Sequence, residues 1–85
     1  MIYNTPSEVI RTLEVGEKYA HFKGNDYIIT GFGTDTETLE RTVIYVSLDE
    51  DDDRVWLRSE RMFNSYIKRR SYKGPRFKQI VDEEE

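Results

Sequence analysis

The sequence predicts a mainly β, small α+β domain: an SH3-like small β-barrel or roll of about five strands with one short N-terminal helix. Three observations carry that expectation. Short runs rich in β-branched and aromatic residues recur, the clearest being Arg41-Thr42-Val43-Ile44-Tyr45-Val46-Ser47-Leu48, a composition suited to a pleated, half-buried surface. Turn signals containing glycine, Lys23-Gly24-Asn25-Asp26 and Gly74-Pro75, separate such runs, as hairpins require. The chain has 85 residues, room for one domain with a modest core, and closing a small sheet on itself protects its edges. A compact α+β roll is the competing architecture.

The elements follow in chain order. Asn4-Thr5-Pro6-Ser7-Glu8 starts a helix: Thr5 caps it, Pro6 suits the first helical position and Glu8 completes a capping box. Val9, Ile10 and Leu13 give it an apolar stripe and Gly16 ends it, so a helix is expected over about residues 5–14. Lys18 to Phe22 and Asp26 to Phe32 form a hairpin around the Gly24 turn. Gly31 and Gly33 imply a bulge or bend near the end of its second strand. Thr34-Asp35-Thr36-Glu37-Thr38 is a polar connection whose side chains bond their own backbone.

After the Arg41–Leu48 strand an acidic loop returns into Val55-Trp56-Leu57-Arg58, which alternates as a strand with one buried face. Ser59-Glu60-Arg61 breaks the period as a single helical turn that tips Met62 and Phe63 beneath the sheet. Tyr66 to Tyr72 reads as a basic edge segment, and Arg76 to Ile80 as the last strand. The domain spans 1–81, with residues 82–85 an acidic disordered tail.

Charge is patterned. The net charge is −4, from 13 bases and 17 acids. Nine of the acids lie in Asp49-Glu50-Asp51-Asp52-Asp53 and Asp82-Glu83-Glu84-Glu85, so the rest of the chain is net positive. Between Arg54 and Lys78 there are nine bases and one acid, Glu60. A basic field invites an anionic partner, and acidic flanks weaken non-specific binding to polyanions. With no cysteine, a disulfide framework and a thiolate metal site are excluded. No apolar run approaches the ~20 residues that cross a bilayer, and no signal pattern opens the chain, so a cytoplasmic location without membrane contact is expected.

Four blocks carry a family resemblance: His21-Phe22-Lys23-Gly24-Asn25-x-Tyr27, then Thr36-Glu37-Thr38-x-Glu40 with Val43-x-Tyr45, then Trp56-x-Arg58, then Met62-Phe63. In this order they resemble the bacterial and phage domain of unknown function 1653 family, over about Gly16 to Ile80. The resemblance implies a small β-rich fold and no established activity. The family pattern has His-Ser-Glu-Thr where this chain has Asp35-Thr36-Glu37-Thr38, and a proline where it has Ser59.

Chemistry-bearing residues are few. His21 is the sole histidine; with Glu37 or Asp35 it would be an acid–base pair, and otherwise a strand residue bonded to a turn. No nucleophilic triad or transition-metal site can be assembled around one histidine. Asp49-x-Asp51-x-Asp53 with Glu60 has calcium-loop spacing, yet Arg54 stands where such a loop needs glycine, so no metal or other cofactor is expected. Lys23-Gly24-Asn25 could cradle a phosphate through backbone N–H groups, or be an ordinary turn.

The leading expectation is a non-enzymatic module that holds a small anionic, nucleotide-like ligand against Trp56, Arg58, Arg61 and the Lys23 turn. His21, Tyr27, Thr36, Glu37 and Tyr45 complete its candidate site, and a phage-type protein that sequesters a host nucleotide signal is one version. The alternative is an adaptor that binds protein or nucleic acid through a basic surface of Lys68, Arg69, Arg70, Lys73 and Arg76, with Tyr66, Tyr72 and Phe77 interleaved as stacking partners. Small barrels pair through exposed strands, which makes residues 66–72 the candidate edge of a homo-oligomer.

Overall fold

A computed structural model describes residues 11–81. The strands are β1 (Lys18–His21), β2 (Asp26–Thr34), β3 (Arg41–Ser47) and β4 (Val55–Ser59), followed by the helical turn α1 (Glu60–Phe63) and then β5 (Tyr66–Lys68), β6 (Lys73–Pro75) and β7 (Phe77–Ile80). Five strands form one antiparallel sheet in the order β4-β3-β2-β1-β7. The β5-β6 hairpin stands apart as a two-stranded sheet.

The hydrogen-bond ladders leave β4 and β7 as the ends of this sheet, so the expected barrel is not closed by pairing among the described residues. The sheet is nevertheless rolled. Strands β3 and β7 are three positions apart, about 14 Å in a flat sheet, yet the Tyr45 and Phe77 rings meet at 5.6 Å. The concave face collects Leu13, Tyr19, Ile29, Val43, Tyr45, Phe63 and Phe77 as one buried core. Its centre is aromatic: Phe63 and Phe77 stack with centroids 3.9 Å apart, and Tyr45 meets the Phe63 edge at 5.4 Å.

A bulge in β2 sets which residues reach that core. Ile29 opposes Tyr45, but Gly31 opposes the next β3 residue, Ile44, so Thr30 is extra. The extra residue flips the alternation beyond it and turns Phe32 onto the core instead of away from it. The strand does not leave the sheet there; it pairs on to Thr34–Arg41.

The β4–α1 corner follows the expected path, with one exception. Ser59 caps α1, its hydroxyl accepting the Met62 N–H at 3.1 Å. Phe63 is fully buried, whereas Met62 stays 37 % exposed: one turn of helix cannot point two consecutive side chains inward. In β4 the inward residues are Trp56 and Arg58, while Val55 and Leu57 remain 63 % and 65 % exposed.

Three other expectations change. Gly74 and Pro75 lie inside β6, and the turn is 69–72, closed by Arg69 N–H to the Tyr72 carbonyl at 2.8 Å. Residues 66–68 pair with 73–75 on one side; the other side of each hairpin strand, like the outer sides of β4 and β7, carries no ladder among the described residues. Of the expected 5–14 helix, residues 5–10 lie outside the described residues, as does the tail 82–85. Residues 11–14 are irregular, because Arg11 is drawn out to bond the Asn64 side chain at 2.7 Å and the Phe77 carbonyl at 2.8 Å.

Candidate functional site

The rim of the concave face gathers residues from four elements. His21 ends β1, Tyr27 begins β2, Tyr45 lies in β3, and Trp56 and Arg58 point inward from β4. Their rings form a chain: His21 to Tyr27 at 6.5 Å, Tyr27 to Trp56 at 6.5 Å and Tyr27 to Tyr45 at 5.2 Å, each edge-on. Below them lies Phe77, 4.8 Å from His21 and 5.7 Å from the Arg58 guanidinium carbon.

The polar groups of this rim are held in defined states. Arg58 donates Nε–H to the Tyr45 hydroxyl at 3.1 Å. The Nδ1 of His21 accepts the Lys23 backbone N–H at 3.1 Å, which leaves the neutral ring's proton on Nε2. Burial first, and then Arg58, Arg76 and Lys23, together pull the His21 pKa down to about 4. Arg76, half-buried at the β6–β7 junction, donates Nε–H to the Ser65 hydroxyl at 2.8 Å. Its own pKa is lowered by burial, then by Arg58 and Arg69. The charged groups facing His21 are all cations. None of Lys23, Arg58, Arg69 and Arg76 forms an ion pair among the described residues.

At the other end of the rim, Arg54 lies over the Trp56 ring at 4.6 Å and pairs with Asp52 at 3.0 Å. The Trp56 indole N–H is buried with no acceptor at hydrogen-bond distance. The Asp52 carboxyl is held below the usual range chiefly by Arg54 and only lastly by Trp56, and it does not satisfy the indole at hydrogen-bond distance. Phe22, beside His21, stacks on Tyr72 at 5.4 Å and carries Arg69 at 5.1 Å and Lys23 at 5.9 Å.

Several expected members are placed elsewhere. Thr36 and Glu37 sit exposed in the β2–β3 turn, at the opposite end of a ladder that runs from Tyr27–Ser47 to Thr34–Arg41. That is on the order of 20 Å from His21 along β2, so the His21–Glu37 acid–base pair is not assembled. The Asp35 carboxylate there caps its own turn, accepting the Glu37 and Thr38 N–H groups at 2.7 and 3.0 Å. Arg61 points away on α1 and pairs with Glu40 at 3.5 Å. The Lys23-Gly24 turn is no phosphate cradle: its N–H groups are spent on His21 Nδ1 and on the His21 carbonyl.

Lys68, Arg69, Arg70 and Lys73 are exposed on the β5–β6 hairpin, with Lys68 directly opposite Lys73. Arg76 belongs to the rim instead. In the acidic loop Asp49 accepts the Asp51 N–H and Asp52 holds Arg54. Among the described residues no three acids or histidines converge as metal ligands. A concavity of about 350 Å³ lies over Gly33, Ile44 and Leu57; its charged lining is Asp35, Glu40 and Arg58, two acids to one base, which suits an anion poorly. Arg76 is the site residue that sequence reasoning missed as such. Its only signal was its place next to Phe77, which opposes His21 in the β1–β7 ladder.

The geometry defines a small β module whose rolled sheet ends in an aromatic, cation-rich rim. The chain belongs to the family described as protein of unknown function (DUF1653), whose model matches residues 17–79. No curated protein and no solved structure matches it. Among the described residues no helix is long and apolar enough to cross a membrane.

Proposed function

We propose that the domain is a non-enzymatic binding module for a small anionic ligand bearing an aromatic ring, nucleotide-like in chemistry. The observation that carries this reading is that a half-buried His21 and Arg58 meet over the Phe77 ring, with Arg76 at the adjoining strand junction and no carboxylate paired with either arginine. Cations held together without counter-charge raise the energy of the free protein, and an anion relieves that cost. The half-buried Tyr27 and Trp56 rings supply stacking surface beside them. The close approach of β4 and β7 side chains supports a barrel-like roll as the finer description of the fold. Such a module sequesters or senses its ligand, and a protein that soaks up a nucleotide signal is one physiological form.

The test is a thermal-shift titration with nucleoside monophosphates and cyclic nucleotides. A nucleotide at about 100 times its Kd should raise Tm on the order of 10 °C. Arg58→Gln should abolish the rise while leaving the aromatic near-UV signal intact. A flat response to every nucleotide class removes this reading.

A second reading rests on the hairpin. Lys68 and Lys73 face each other across β5–β6, with Arg69 and Arg70 in the turn. Like charges directly opposite are unfavourable in the free protein, which suits an adaptor that meets a polyanion there. A steep fall of affinity with salt distinguishes it from the rim site.

A further inference from the structure

The rim offers an incoming ligand almost nothing but donors. Two of its arginines have one nitrogen committed to a neutral oxygen: Arg58 Nε to the Tyr45 hydroxyl and Arg76 Nε to the Ser65 hydroxyl. Both guanidiniums are thereby fixed in orientation while their terminal nitrogens meet no acceptor among the described residues. His21 is committed on its acceptor side, since Nδ1 takes the Lys23 N–H, and so presents Nε2–H. His21 and Arg58 meet the Phe77 ring from β1 and β4, and Arg76 enters beside them from the β6–β7 junction, its carbonyl accepting the Phe22 N–H at 2.9 Å.

A planar carboxylate holds its four lone-pair sites in one plane, so it meets donors from several directions less well than a tetrahedral oxyanion does. Two forks and an imidazole N–H call for a group with three peripheral oxygens and no proton to donate. We infer that the anionic part of the ligand is a phosphoryl group, held between the terminal nitrogens of Arg58 and Arg76 and the Nε2–H of His21, and that its arrival promotes protonation of His21. This rests on the functional reading above and names the chemistry of that site's charged end.

The linkage follows from the groups that face His21. On its own turn there is Lys23, on β4 Arg58, and at the β6–β7 junction Arg76; the remaining neighbours are the rings of Phe22, Tyr27 and Phe77. Burial first, then these three cations, disfavour the imidazolium. A phosphoryl dianion placed among them reverses the sign of the local field. Binding therefore takes up a proton only as the pH falls toward the low His21 pKa, and there affinity strengthens with acidification. Sulfate keeps its charge in that range, whereas a phosphoryl group is already a monoanion.

The sole histidine makes the test direct: the His21 Cε1–H resonance is titrated from pH 3 to 8 in the intact protein. Inorganic phosphate and, as a tetrahedral anion that does not titrate in this range, sulfate should raise the His21 pKa by about one unit or more. Acetate at equal ionic strength should give a smaller, screening-only shift. Arg76→Gln should weaken phosphate binding about tenfold and raise the His21 pKa of the free protein, whereas Arg70→Gln, on the exposed hairpin, should change neither. Where Arg76→Gln fails to fold, Arg58→Lys keeps the charge without the planar fork and should show the same loss of affinity.

Equal shifts with acetate and phosphate, or no shift with either, overturn the inference. Its failure is separable from that of the functional reading. A nucleoside monophosphate that quenches Trp56 fluorescence without moving His21 keeps the binding module and rejects phosphoryl contact at this cluster. A phosphate-dependent His21 shift with no response of Trp56 to any nucleotide keeps the phosphoryl site and rejects the nucleotide.

Discussion

Individual residues show where the chain carries strain. Gly74 is buried, and a Cβ there would come within 2.7 Å of the Tyr72 hydroxyl, which bonds the Pro75 carbonyl at 2.7 Å. Gly74→Ala should therefore cost ~1–3 kcal/mol in urea unfolding, and Tyr72→Phe should recover part of it in a double-mutant cycle. Leu39 adopts φ 64° with its side chain 76 % exposed, so it keeps the left-handed penalty and gains little from burial. Leu39→Gly should stabilise by about 1 kcal/mol in the same assay. His21 stays neutral in the folded protein down to about pH 4, against 6.5 unfolded. Between those values the unfolded state binds the extra proton, so stability falls as pH drops through that window and is unaffected above it. With screening at the half-buried rim the loss is ~1–2 kcal/mol. His21→Gln should remove this component when stability is followed against pH.

Elements explain why single substitutions will be uneven. The β5–β6 hairpin, whose ladder is extended by Arg76 N–H to the Ser65 carbonyl at 2.9 Å, joins the main sheet where the Arg76 carbonyl accepts the Phe22 N–H at 2.9 Å, and it sets Lys68 against Lys73. Lys68→Glu should turn that repulsion into attraction and raise stability by about 0.2–1 kcal/mol; under the adaptor reading it should also cut polyanion affinity. The hydrophobic pattern of Val55-Trp56-Leu57-Arg58 was legible as a strand, but not which face turned inward. Trp56 and Arg58 face inward, because Tyr45 offers Arg58 a hydroxyl partner inside while β4, an edge strand, leaves Val55 and Leu57 outward.

At the scale of the whole molecule, one rolled sheet brings β1, β4 and β7 side chains to a single rim. Salt discriminates between the two charged regions. Ligand binding at the half-buried rim should change modestly between 50 and 200 mM salt, whereas polyanion binding to the exposed hairpin should fall steeply, in proportion to the phosphates contacted. Fluorescence titration against a nucleotide and against an oligonucleotide at both salt concentrations measures the contrast. A rim that loses affinity as steeply as the hairpin would place both ligands on the same exposed surface.

The sequence by itself determined the strands β1 to β4 and β7, the Gly24 turn, the single helical turn after Ser59 and the family. Each depends on a local pattern: alternation, turn chemistry, a cap, an ordered set of motifs. It also brought His21, Tyr27, Tyr45, Trp56 and Arg58 into one candidate set. Tertiary structure decided the rest. The placement of Thr36, Glu37 and Arg61 away from that set depends on ladder length and helix direction. The membership of Arg76 depends on β7 returning beside β1, a pairing more than 50 residues apart in the chain. Local periodicity cannot report long-range contacts of that kind, since they are fixed only when the sheet rolls to bury its aromatic face.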